Sequence, residues 1–155
     1  MSYRSFYIKY IKLSLDFMFA IFLTILLLPV LIIISLGIYL NSGCPIFFLQ
    51  TRVGLNLKEF KIIKFRTMPK DTKELTSPEA REIKIDFFGK FLRRFSLDEI
   101  PQIFNILKGE MSFVGPRPIL TNMKRMIDRR KEENIFSIKP GITGLAQVKA
   151  YDEMT

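Results

Sequence analysis

Two adjacent acids, Asp98 and Glu99, stand among basic residues. Arg93 and Arg94 lie one turn upstream, and Arg117 follows between Pro116 and Pro118. Two chemistries compete for the acids. Helix starts attract carboxylates because the first turn carries a partial positive charge, and Ser96-Leu97-Asp98-Glu99 matches the pattern in which a serine and a glutamate cap each other's backbone. The alternative is a phosphate site. Proline fixes its own backbone and restricts the residue before it, so Arg117 sits on a stiff turn. A rigid guanidinium fork suits phosphate oxygens, although a structural salt bridge would use the same residue. Acids inside such a basic pocket make sense if Mg2+ joins them, held by Asp98 and Glu99 and by the phosphate itself. One carboxylate could then attack phosphorus.

Composition narrows the chemistry further. The 155 residues contain no histidine, which excludes a Ser-His-Asp triad, a Cys-His dyad and a histidine zinc site. The single cysteine, Cys44, allows no internal disulfide. Basic residues number 24 against 15 acidic, a net charge of +9, so the partners are anionic: phosphorylated substrate, acidic lipid or nucleic acid. No zinc-finger or recognition-helix pattern supports nucleic acid.

Several elements must position these groups. Glu59–Met68 interleaves Phe60, Ile62, Ile63 and Phe65 with lysines, and with Pro45–Gly54 it reads as a pair of short strands. Residues 69–80 are polar and turn-rich, which predicts a surface loop. Ile85–Phe95 reads as a short amphipathic helix. Ile100, Ile103, Phe104 and Leu107 form the buried stripe of a helix that Ser96 or Asp98 caps, that admits Pro101 only in its first turn, and that Gly109 stops. A second helix is expected over 119–133 and a tight turn at Lys139–Gly144.

The N-terminal part is of another kind. Phe17–Leu40 has no charged residue and is long enough to cross a bilayer. Hydropathy alone predicts a single crossing. The charges argue otherwise: Arg4, Lys9 and Lys12 precede the segment, while Arg52, Lys58, Lys61, Lys64 and Arg66 follow it. Basic residues favour the cytoplasmic side, and one crossing satisfies only one cluster. Pro29, near the middle, removes a backbone donor and bends a helix. A re-entrant helix with both ends on one face satisfies both clusters, with Asp16 at headgroup level near Lys12.

Three stretches carry a resemblance. Lys64–Met68 (KFRTM), Ser96–Pro118 (SLDEIPQIFNILKGEMSFVGPRP) and Lys139–Val148 (KPGITGLAQV) resemble the monotopic phosphoglycosyl transferases, or bacterial sugar transferases, in order and over nearly the whole chain. The resemblance implies an α+β fold: a re-entrant helix-break-helix anchor over 1–41, then a small, mostly helical catalytic domain with short strands over 42–155, C-terminally incomplete beside the family. It implies transfer of a sugar 1-phosphate from a nucleotide sugar, usually a UDP-sugar, to undecaprenyl phosphate at the cytoplasmic face of the bacterial inner membrane, which starts surface-glycan assembly. It implies Asp98 as nucleophile, Glu99 as its partner on Mg2+, and Lys64, Arg93 and Arg117 as substrate-binding groups. The partners implied are nucleotide sugar, undecaprenyl phosphate and membrane lipid, with no nucleic acid. The family's usual Ser-Pro at the helix break is Leu28-Pro29 here. A non-catalytic relative that binds lipid phosphate or nucleotide sugar without turnover is the competing expectation.

Overall fold

The structure is a computed structural model that describes residues 10–68, 85–145 and 147–148. The expected surface loop over 69–80 lies outside the described residues. An apolar run without charge has no reason to leave the helical state, and it forms one long helix, α1 (Lys12–Ser42). The helix ends where the turn signal Asn41-Ser42-Gly43 predicts. Gly43 takes φ 68°, a backbone that favours glycine, and its N–H bonds back to the Tyr39 carbonyl. The expected break at Pro29 is absent as such: α1 runs through the proline as a single helix. A proline costs one backbone bond and a local bend, and the turns on either side remain helical.

After a cis Cys44–Pro45 peptide, β1 (Phe47–Val53) and β2 (Glu59–Phe65) form an antiparallel hairpin, with Phe47 opposite Phe65 and Phe48 opposite Lys64. Helix α2 (Phe87–Arg94) is capped by Asp86, whose side chain accepts from the Gly89 N–H. A 3₁₀ turn over Leu97–Gln102 leads into α3 (Ile103–Leu107), and Gly109 at φ 76° ends it as expected. Then follow β3 (Ser112–Val114), β4 (Ile119–Leu120), α4 (Lys124–Glu132) and β5 (Gly141–Thr143). The sheets have orders β2-β1-β4 and β3-β5, the second pair parallel.

The fold is thus mixed helix and strand behind a long apolar helix. Two local expectations need correction. Residues 119–120 are a strand, not the start of a helix: they pair with Arg52 and Val53 of β1, and helix begins only at Lys124. Lys139–Gly144 is not a tight turn, because Gly141–Thr143 runs as a strand beside β3. Its glycines serve close approach. A Cβ on Gly141 would fall 2.1 Å from the Gly115 nitrogen, and one on Gly115 would fall 2.3 Å from the Lys139 carbonyl oxygen.

Helix α1 is also part of the core. Ala20, Leu31, Ile34 and Ile38 are buried, and Leu23 and Leu27 complete a stripe at three- and four-residue steps. The first half of the stripe packs on Phe60, Ile62, Ile103, Ile106 and Met111, the second on Phe65, Leu92 and Phe104. Both ends are held by polar bonds. Lys12 pairs with Asp16 at 2.8 Å, as expected, and both reach Ser112 of β3. At the other end Arg66 Nη2 donates to the carbonyls of Ser42 and Gly43, each at 2.7 Å, which places a cation at the negative end of the helix dipole.

Candidate active site

The 3₁₀ turn delivers the acids. Ser96 adopts the left-handed region (φ 54°) and makes no side-chain cap bond, so the reciprocal cap expected between Ser96 and Glu99 does not form. Only backbone closes the turn, through Glu99 N–H to the Ser96 carbonyl at 3.1 Å. The two carboxylates are therefore available for other partners.

Those partners are the predicted cations. Lys64, at the end of β2, holds Glu99 Oε1 at 2.5 Å, with both side chains about one-fifth exposed (19% and 20%). Arg117 approaches the same oxygen at 3.8 Å and is more exposed. Arg93, in the last turn of α2, donates from Nε to Thr67 Oγ1 at 2.8 Å and lies within electrostatic reach of Asp98, as does Lys64. The cations thus run Arg93, Lys64, Arg117 past Asp98 and then Glu99, and the structure brings together all five residues singled out from the sequence. Burial pushes the Asp98 carboxyl above its ordinary value, Lys64 and Arg93 pull it down, and the neighbouring Glu99 charge raises it.

Three devices fix this geometry. Asn105 of α3, fully buried, acts as a strand partner for the free edge of β2: its Oδ1 accepts from the Ile63 N–H at 3.0 Å and its Nδ2 donates to the Lys61 carbonyl at 2.8 Å. That ties the segment carrying the acids to the strand carrying Lys64. Gly89 lets α2 close on the Thr67 carbonyl, where a Cβ would come within 2.7 Å. The β3–β5 contact sets the Gly115-Pro116-Arg117 turn, through Gly115 N–H to the Thr143 carbonyl at 2.9 Å and Gly141 N–H to the Pro116 carbonyl at 3.0 Å. Arg130 of α4 adds a 2.6 Å bond to the Arg117 carbonyl. A cleft of about 260 Å³ opens beside Glu99, lined by Arg52, Lys64, Glu99, Gln102, Arg117 and Gly141 among others, with Asp98 next in the chain but not in its wall. Its walls carry three cations and one acid, which suits a multiply charged anion.

Residues 7–155 match the bacterial sugar transferase family. The chain belongs to that family. Among similar sugar transferases, the UDP-glucose:undecaprenyl-phosphate glucose-1-phosphate transferase of Xanthomonas campestris pv. campestris is 43% identical over 79% of this chain and 26% of its own. The UDP-N-acetylgalactosamine-undecaprenyl-phosphate N-acetylgalactosaminephosphotransferase of Aeromonas hydrophila is 35% identical over 90% of this chain and 34% of its own. The uncharacterized sugar transferase EpsL of Bacillus subtilis (strain 168) is 38% identical over 89% of this chain and 68% of its own. The chain therefore spans about a quarter to a third of the two relatives whose names state a donor.

For this sugar transferase the donor set can be weighed against Mg2+. Asp98 and Glu99 offer hard oxygens, and no group of three or more Asp, Glu, His or Cys gathers among the described residues. Mg2+ is commonly held by one or two carboxylates, with substrate phosphates and water completing its shell. The pair fits that ion in company with a diphosphate, and fits an all-protein cage poorly. Sequence reasoning missed Arg52, counted only as a flanking charge, and Asn105 and Thr67, whose roles depend on partners distant in the chain. Asn105, a polar residue between Phe104 and Ile106 on an apolar stripe, was the available signal.

Proposed function

We propose that this chain carries the phosphosugar-transfer chemistry of its family: a sugar 1-phosphate passes from a UDP-sugar to undecaprenyl phosphate through a covalent Asp98 intermediate. The observation that carries the reading is Asp98 itself, partly buried and flanked by Lys64 and Arg93. A desolvated carboxylate is a better nucleophile than a hydrated one, and Lys64 and Arg93 oppose the protonation that burial favours. Arg117 and Lys64 take up diphosphate charge. An Asp98 oxygen attacks the sugar-bearing phosphorus, the bond from that phosphorus to the bridging oxygen breaks, and UMP leaves with the electron pair. An oxygen of the lipid phosphate then attacks the same phosphorus, frees the Asp98 carboxylate and leaves the sugar on a diphosphate. Neither step needs histidine. Mg2+ bound by Asp98 and Glu99 would neutralise phosphate charge and polarise the phosphorus centre.

The same reading places α1 in the cytoplasmic leaflet with both ends on one face. A single crossing would put Ser112 and Arg66, parts of one packed domain, on opposite sides of the hydrocarbon, and the bonds at both helix ends argue against that. Intact-protein mass spectrometry after incubation with UDP-glucose or UDP-N-acetylgalactosamine tests the chemistry. The expected result is one added sugar phosphate and released UMP, both abolished by Asp98→Asn. An adduct that persists in Asp98→Asn would remove Asp98 from the nucleophile role, and no adduct in the parent with either donor would favour a binder without turnover.

A further inference from the structure

The Pro116-Arg117-Pro118 turn has a hollow on each side. The first is the cleft beside Glu99. The second, of about 200 Å³, shares with it only Arg117 and Pro118 and includes no residue of the acid turn. Pro116, Pro118, Phe136, Ile138 and Pro140 make its wall largely apolar. Among the described residues, its charged groups are Arg117 and Arg130 alone. Local structure puts them there. Asn134 takes the left-handed region (φ 54°) just past the end of α4, and the chain turns back through a 3₁₀ turn, Ile135–Ser137, that carries Phe136. Arg130 Nη1 donates to the Arg117 carbonyl at 2.6 Å, which fixes the guanidinium against the turn. Burial holds the Arg130 guanidinium below its ordinary pKa, with the Glu133 charge opposing. The group is thus partly withdrawn from water, where a hydrogen bond from it is electrostatically stronger.

We propose that this second hollow seats the nucleoside of the donor, with the base against Phe136 and its carbonyl oxygens toward Arg130. The position follows from the order of groups in a nucleoside diphosphate sugar. The diphosphate lies between sugar and nucleoside, so a residue that holds the diphosphate has one on each side. Asp98 attacks the sugar-bearing phosphorus, which puts the sugar on the acid side of Arg117. The nucleoside then falls on the other side, where the second hollow opens. The chemistry of the wall agrees. A base has flat apolar faces and polar edges, and it stacks on aromatic rings and guanidinium planes. A pyrimidine with two carbonyl oxygens presents acceptors, and a guanidinium presents only donors. The sugar fits worse, because its hydroxyls both donate and accept while the charged side chains of the wall can only donate. Arg117 and Arg130 divide the donor between them. One holds phosphate, the other the base, and the bond from Arg130 to the Arg117 carbonyl joins the two.

This inference rests on the transfer reading of the cleft, and the experiment separates the two. Titration calorimetry of the full chain in detergent micelles compares UDP with inorganic pyrophosphate, which has the phosphates without the nucleoside. The parent should bind UDP at least about tenfold more tightly, the scale that stacking one base on an aromatic ring contributes. Phe136→Ala and Arg130→Gln should each remove most of that advantage and leave pyrophosphate affinity as it was, whereas Arg117→Lys should weaken both ligands. Equal affinity of the parent for UDP and pyrophosphate overturns the inference and leaves the diphosphate site standing. A loss of both ligands in Phe136→Ala reduces the hollow to a support of the Arg117 turn and also overturns it, as does UDP affinity unchanged in both variants. No binding of either ligand by the parent overturns the donor site and the inference together.

Discussion

Replacing Gly141 by alanine puts a methyl group 2.1 Å from the Gly115 nitrogen and 2.6 Å from the Thr143 carbonyl oxygen, both backbone atoms that no rotamer change can move aside. Ordinary contact needs 3.4 Å or more, so β3 and β5 must part by more than about 1 Å. The Gly115–Thr143 bond at 2.9 Å and the Gly141–Pro116 bond at 3.0 Å then leave bonding range. Two bonds at about 1 kcal/mol each, with about 1–3 kcal/mol of remaining overpacking strain, give a loss of roughly 3–5 kcal/mol. At about 2–4 °C per kcal/mol for a chain of this size, the melting temperature falls by on the order of 10 °C. Gly109→Ala is the control. Its backbone is left-handed, at φ 76°, unlike that of Gly141, but the nearest atom to a new Cβ is the flexible Lys139 Nζ at 3.6 Å, so it costs only about 1–2 kcal/mol. Thermal unfolding in detergent micelles measures both. Because the same strand pair sets Arg117, UDP binding by the Gly141→Ala protein should weaken at temperatures where it is still folded. Equal melting temperatures for the two variants would refute the close-approach argument.

Other outcomes follow from the charges. Burial favours protonated Asp98, so its contribution to stability is greatest below the ordinary value of 3.8 and is lost as pH rises through the raised folded value. Asp98→Asn should therefore melt higher than the parent near about pH 8, and the gap should close toward about pH 4; a lower melting point at neutral pH would return the residue to a capping role. Lys64→Met removes a cation that pulls the Asp98 carboxyl down, so the acid limb of the kcat/KM profile should move to higher pH, and an unmoved limb would exclude ionised Asp98 as the reacting form. Arg66→Met removes two short bonds to the end of α1 and should cost about 2 kcal/mol in chemical unfolding. In whole cells carrying Cys44→Ser, a periplasmic thiol reagent should label neither Ser2→Cys nor Asn56→Cys; labelling of one alone would establish a crossing.

What could be read in the sequence was what local chemistry decides. Gly43 and Gly109 ended their helices because a left-handed residue stops a helix whatever surrounds it. The amphipathic pattern of α2 was visible for the same reason. The acids and their cations were legible because each lies in a short, dense run. The failures share one cause. Ser96 and Glu99 have the spacing of a capping box, but Glu99 finds Lys64, thirty-five residues away, a stronger partner than a backbone N–H. The glycines of Lys139–Gly144 signal a turn, yet they answer to Gly115. Ile119 and Leu120 have no local reason to be strand until β1 offers an edge.

The stripe along α1 bears on how the protein comes to exist. A ribosome makes that helix before every residue that covers its stripe, from Phe60 to Met111. Until then Ala20, Leu27, Ile34 and Ile38 have only lipid or solvent beside them. The later segments must therefore condense onto a helix that is already in place, as on a template. The dependence runs the other way too: shorn of residues 1–41, the remainder would carry Phe60, Ile62, Phe65 and Ile103 uncovered, and detaching the helix to obtain a soluble domain should yield an aggregate.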